Sequence, residues 1–392
     1  MKTIGIAWPE FNEGLTYNDI VSPSNSGLTL IQFYSSNHTS SAPLQGWLQR
    51  IHNGQISMDG NTVTDPNTII RVGSKLVYHR RPWIEPEAPF LLEVLYEDDD
   101  MIALNKPSGL QVLPGGLFQQ RTVLTQLKWH SQKNDTPAQG QILHPAPVHR
   151  LGRGTSGVLL CAKTKHAKAC LATYFADGTS LVRGKSEMNS DVGVERKITK
   201  IYRALVKGII DNNEVLIDKP IGVMRYPGVA KGLYVALSSG KPALSKVKVL
   251  ERDVEKDRTL VQVEIHSGRP HQIRIHLSLI GYPLLGDPLY VAGGQPECFD
   301  SELVEDFAED GLGEKRKERE RKRRSKEGDC TLFRREGGYQ RPTKPVPGDC
   351  GYHLHAHEVI LSHPTTNEVI KIIAPLPCML KSLEEANQEI VT

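Results

Sequence analysis

Two short blocks of this 392-residue chain concentrate side chains that could do chemistry. Residues 149–157 read His-Arg-Leu-Gly-Arg-Gly-Thr-Ser-Gly, and residues 267–276 read Ser-Gly-Arg-Pro-His-Gln-Ile-Arg-Ile-His. Both are rich in cations and hydroxyls, and neither holds a carboxylate. Arg150 suits a phosphate contact. The run Gly152–Gly157 is glycine-rich but lacks the Gly-Lys-Ser/Thr ending of a P-loop. Ser156 follows Gly154 by two residues, yet Val158 stands two after it, so it is not the serine of a nucleophile elbow. His353, His355 and His357 alternate and would share one side of a strand. No Asp or Cys completes a metal-ligand set with them, so no metal is expected.

Further blocks extend the pattern in chain order. They are Asn105-Lys-Pro-Ser-Gly-Leu110, Lys200-Ile-Tyr-Arg-Ala-Leu-Val-Lys-Gly208, Gly281–Tyr290 and His355–Pro364, the last followed by Ala374-Pro-Leu-Pro377. With the two blocks above they resemble the RluA-type pseudouridine synthases, whose catalytic loop runs His-Arg-Leu-Asp-x-x-Thr-Ser-Gly. The match runs from residue 91 to residue 377, with inserts near 178–198 and 294–346.

The resemblance implies an RNA partner and the isomerisation of uridine to pseudouridine. That reaction changes no oxidation state and calls for no cofactor. The target nucleotide must leave its stack. By position, Arg150 replaces the extruded base, Tyr202 stacks on it, and Ile273 packs beneath it. His149 and Arg274 complete the substrate-contacting set. An arginine of the 267–276 block, Arg269 in preference to Arg274, would keep the catalytic acid charged. The acid itself is missing, because Gly152 occupies its position. Asp135 and Asp177 are the nearest aspartates in sequence, and Asp287 fits a structural position of the family. Two readings stand. In one, the chain is an isomerase whose acid arrives through space. In the other, it is an inactive RNA-binding member of the same fold. Without an acid beside it, Arg269 is expected to find another carboxylate or to face a solvent-filled cleft.

The elements that must position these residues read as follows. Strands are expected at 92–96, 101–104, 158–162, 201–207, 245–251, 259–266 and 367–373, and helices at 122–130, 165–176 and 271–280. No regular strand–helix alternation appears. An α+β domain with a mixed, largely antiparallel central sheet is expected over 91–380. Ahead of it, Leu44, Trp47, Leu48 and Ile51 have helical spacing. Asn53-Gly54 stops that helix, and strands follow around an Asp59-Gly60 turn up to residue 80. This 44–80 stretch resembles a small S4-type RNA-binding module. Residues 1–43 read as an arm, 81–90, with three prolines, as a linker, and 381–392 as a tail.

A hydrophobic fraction of 39% suffices to bury a core, and a net charge of +3 confines nucleic-acid affinity to local patches. The six cysteines are scattered without a Cys-x-x-Cys pair, which fits an intracellular protein, cytoplasmic or nuclear. No apolar run reaches the ~20 residues that span a bilayer, and no signal peptide is read at the start. The insert over 300–346 begins with six acids in Asp300–Asp310 and continues with nine Lys/Arg and four Glu in Glu314–Glu327. It reads as a solvated charged segment, or as a localisation or RNA-contacting tract. A monomer is the family's default.

Overall fold

The computed structural model describes residues 2–39, 41–132, 141–180, 197–226, 229–293 and 349–391. The charged insert over 300–346, Asp135, Cys298 and Cys330 lie outside the described residues. Residues 9–86 form one compact unit, and residues 2–8 form another with the described residues from 87 onward.

After β1 (Thr3–Ile4), which belongs to the larger unit, the 9–86 unit contains β2 (Leu15–Ile20), α1 (Leu30–Asn37), α2 (Leu44–His52), β3 (Ile56–Met58), β4 (Asn61–Val63) and β5 (Lys75–Arg80). Its strands order as β2-β5-β3-β4. The β3–β4 hairpin turns on Asp59 and Gly60, with φ of 52° and 89°, the turn geometry that Asp-Gly adopts readily. Trp47 and Ile51 of α2 enter the core as their spacing predicts, whereas Leu44 stays 54% exposed. Arg50 takes the remaining inward place, its guanidinium 4.5 Å from the Trp47 ring and 5.0 Å from that of Tyr78.

Where the sequence suggests an arm over 1–43, the structure builds β2 and α1 into this unit. Helix α1 opens on a capping box: Thr29 Oγ1 accepts from the Gln32 amide, and Gln32 Oε1 accepts from the Thr29 amide. Leu30, Phe33 and Tyr34 then pack into the core. An eight-residue helix is too short to stand alone and draws its stability from this packing.

The larger unit continues with β6 (Leu92–Glu97), β7 (Met101–Lys106), α3 (Val123–Gln132), β8 (Gln141–Pro147), β9 (Ser156–Thr164), α4 (Lys165–Ser180), β10 (Ile198–Lys207), β11 (Glu214–Asp218), β12 (Ile221–Tyr226), β13 (Val229–Ala236), β14 (Leu244–Asp253), β15 (Arg258–Ile265), α5 (Gln272–Leu279), β16 (Leu354–Ser362), β17 (Val369–Ile373) and α6 (Leu383–Val391). The fold is α+β. Its main sheet orders as β1-β6-β7-β9-β16-β10-β15-β14-β11, with β17 on β16 and β8 on β9. Every one of these pairings is antiparallel except β9 with β16, so the sheet is mixed. β12 and β13 form a separate hairpin. The segment expected as a tail contains α6, which Arg203 of β10 holds through a two-pronged ion pair to Glu385 (2.6 and 3.2 Å).

Alternation along the central strands sorts side chains to two faces. Leu159 and Cys161 of β9 and Tyr202, Ala204 and Val206 of β10 share one cluster with Val123 and Leu127 of α3 and Ile273 and Leu277 of α5. Val158, Leu160 and Ala162 belong instead to a cluster with Ala167 and Leu171 of α4. Burial on both faces explains why residues 158–162 form an unbroken apolar run.

Candidate active site

The 149–155 loop enters β9 and is braced from two sides. On one side stands the Asn105–Leu110 turn. Lys106 Nζ donates to the carbonyls of Pro107, Leu110 and Arg153 at 2.8, 2.8 and 3.2 Å, the Gly109 amide donates to Arg153 O (2.9 Å), and Ser108 Oγ donates to Gly154 O (2.7 Å). Complete burial pushes the Lys106 pKa down to about 7, while the three carbonyls around it favour the ammonium form. On the other side runs the segment leading into β16. The parallel pairing sets His355 opposite Ser156 and Ala356 opposite Gly157, and Ser156 Oγ lies 2.8 Å from His355 Nδ1. Close approach demands glycine here. A Cβ on Gly154 would meet Asp349 O at 2.7 Å, and one on Gly157, whose φ is +104°, would meet Ala356 O at 2.2 Å.

Gly152 is surface-exposed, but the space its side chain would enter is taken. A Cβ there would lie 2.7 Å from Tyr352 Oη and 3.4 Å from Thr155 Oγ1. Tyr352 is 4% exposed and fixed in place. Its hydroxyl shares a 3.2 Å hydrogen bond with Thr155 Oγ1, and the Arg274 guanidinium lies 4.3 Å from its ring centre. Burial pushes its pKa up, an effect that Arg274 only offsets in part. A neutral phenol can donate a hydrogen bond but is a poor general base at neutral pH. Sequence reasoning did not find Tyr352, which sits two residues ahead of β16 and carries no motif of its own.

Arg274, in the first turn of α5, forms a two-pronged pair with Asp287, both contacts at 2.7 Å. Asp287 Oδ1 also accepts from the amides of Leu289 (2.9 Å) and Tyr290 (3.2 Å). Both side chains are sealed from solvent, at 2% and 0% exposure. Arg269 precedes the helix, is half-buried, and donates from Nε to Pro242 O at 3.0 Å. Arg274 of this block is thus paired with a carboxylate, because the α5 turn carries position 274 into the fold. His271, in the left-handed conformation at φ 56°, opens α5, and its Nδ1 lies 2.8 Å from Tyr290 Oη. Since Tyr290 spends its only proton on Tyr234 O (2.8 Å), His271 is the donor in that contact.

Tyr202 pairs in register with Val263 and Ala356 and joins Leu151, Ile273 and Tyr352 in one apolar cluster. Burial pushes its phenol up to about 12. Arg150 is exposed at the rim. Its neighbour His149 is committed to the scaffold instead. The Nε2 atom accepts from the Leu160 amide at 3.0 Å, the ring stacks 4.5 Å from that of Phe175, and burial holds the pKa near 3. Leu151, Tyr202, Ile273 and Tyr352 thus belong to one core cluster, Arg274 lies against the Tyr352 ring, Arg150 is exposed, and His149 and Arg269 each bond backbone. Among the described residues, no group of three or more His, Cys, Asp or Glu is arranged to hold a metal. No helix of the described residues is long and apolar enough to cross a membrane.

A family profile described as RNA pseudouridylate synthase matches residues 100–279. RNA pseudouridine synthase 5 of Arabidopsis thaliana is 61% identical over 384 residues, which span 97% of this chain and 98% of the relative. The protein of the same name from Oryza sativa subsp. japonica is 58% identical over 396 residues, or 98% of this chain and 92% of the relative. Ribosomal large subunit pseudouridine synthase D of Pseudomonas aeruginosa is 33% identical over 252 residues, covering 63% of this chain and 68% of its own length.

Proposed function

Because the chain belongs to the RNA pseudouridine synthase family, we propose that it isomerises uridine in RNA at the site beside the 149–157 loop. The extruded uracil stacks on Tyr202 above Ile273, worth about 1–3 kcal/mol per stacked base. Arg150, at the exposed rim, fills the gap left in the RNA. Arg274 acts through Tyr352 and Asp287 to hold the floor rigid. The 9–86 unit, which carries the S4-like pattern, adds contacts to structured RNA. The four cysteines among the described residues are free, which fits an intracellular setting, and a monomer is sufficient, since one chain supplies every residue named.

One observation carries this reading: Tyr202, Ile273, Leu151 and Tyr352, drawn from four separate segments, converge in one cluster on the α5 face of the sheet. The test is incubation of the full chain with uridine-containing RNA, followed by carbodiimide-dependent primer stops at pseudouridine. Stops above the no-enzyme control are expected. RNA binding without stops would favour the inactive, RNA-binding reading, which the tyrosine-filled space over Gly152 motivates.

A further inference from the structure

We propose that Asp349 is the carboxylate that serves the isomerisation in this chain, in place of an acid at position 152. This inference rests on the synthase reading above. Asp287 pairs with Arg274 and Asp349 with Arg153 of the loop, and the surroundings of the two differ. Asp287 is sealed, and four donated hydrogen bonds, two from Arg274 and two from backbone amides, occupy its oxygens. A sealed carboxylate whose oxygens are so occupied presents none of them to a substrate.

Asp349 is open, with 46% of its side chain exposed. Its partner is Arg153, a residue of the loop itself, whose Nε and Nη2 lie 3.0 and 2.9 Å from Oδ1. The Asp349 backbone packs on the loop where only glycine fits, at Gly154. Arg153 is in turn steadied by the Phe118 ring, 4.9 Å from its guanidinium carbon. Lys106 and Tyr352 bond the same loop, at Arg153 O and Thr155 Oγ1. Tyr352, three residues further on, closes the space over Gly152. The same incoming segment thus shuts the loop's own acid position and brings a carboxylate to its edge.

The step balances without an oxidant or reductant. The N1–C1′ bond breaks and its electron pair stays on the uracil. The base turns, C5 supplies a pair to C1′, and the new C–C bond forms. C5 then gives its proton to the Asp349 carboxylate, N1 takes up a proton, and the carboxylic acid returns its own to solvent. Arg153 is a positioning residue.

The experiment uses the full chain and a mixed-sequence RNA transcript pool carrying tritium at uridine C5, with tritium release to water as the rate and RNA affinity measured in parallel. Asp349→Asn is expected to lower the rate by about 10²–10⁴-fold. RNA affinity and the thermal midpoint should stay near wild type, and Asp349→Glu should recover part of the rate. If wild type releases tritium and Asp349→Asn releases it as fast, the inference is overturned and the synthase reading stands. If rate, affinity and midpoint fall together in Asp349→Asn, and Asp349→Glu recovers none of the rate, the residue is structural and the inference is again overturned. If wild type releases none, both fall.

Discussion

Glycine at 152 and tyrosine at 352 are one feature rather than two. The hydroxyl lies 2.7 Å from where a side chain on 152 would begin, and it is not a loose tip, because Thr155 bonds it and Arg274 lies against the ring. Restoring an aspartate at 152 therefore overpacks the site. Gly152→Asp is expected to destabilise the chain by about 1–3 kcal/mol. Tyr352→Phe removes the obstructing atom, so the double variant should be more stable than the sum of the single effects. Urea unfolding of the four chains gives the coupling directly, and strict additivity would show that the two positions do not meet. Sequence made the missing acid plain, since the loop matches on both sides of it. Its occupant could not be read, because Tyr352 comes from 200 positions away and joins the loop through a pairing that only the fold displays. For the same reason, the buried partner of Arg274 could be named only once α5 had carried it to Asp287.

The elements were more legible than their neighbours. The 158–162 apolar run, the 201–207 and 259–266 strands and the 165–176 helix all appear, since long or strongly patterned segments announce their period. Helix α1 was hidden by its shortness, although Thr29 with Gln32 three residues on is a capping signal that could have revealed it. Strands β11 and β12 alternate in burial once paired, but their sequences, Glu-Val-Leu-Ile-Asp and Ile-Gly-Val-Met-Arg-Tyr, show no matching alternation of apolar and polar residues. One element-scale prediction concerns the clamp between α5 and the turn at 286–290. Asp287→Asn leaves the Arg274 guanidinium sealed with half its compensation gone. The expected cost is about 3–5 kcal/mol, the usual result of stranding one member of a buried pair. Thermal unfolding measures it, and a midpoint within a degree of wild type would refute the clamp.

At the scale of the molecule, buried neutral histidines set the response to acid. His149 is held near 3, and His271 and His355 near 4, each chiefly by burial and each below the ordinary 6.5. Between these values the unfolded chain binds protons that the folded chain refuses. Stability is therefore complete above about pH 6.5 and declines as pH falls toward 4 and 3, by up to ~1.4 kcal/mol per pH unit for each histidine. His149→Gln, which can still accept from the Leu160 amide, should shallow that decline by up to one proton's share in a pH series of unfolding midpoints. The parallel seam of β9 and β16 has a consequence for synthesis. Residues 149–157 leave the ribosome long before residues 349–356, so the nascent chain carries an unfinished loop whose glycines face open water. The larger unit can close its central sheet only after β16 has emerged, about two hundred positions behind β9, which makes that closure a slow step.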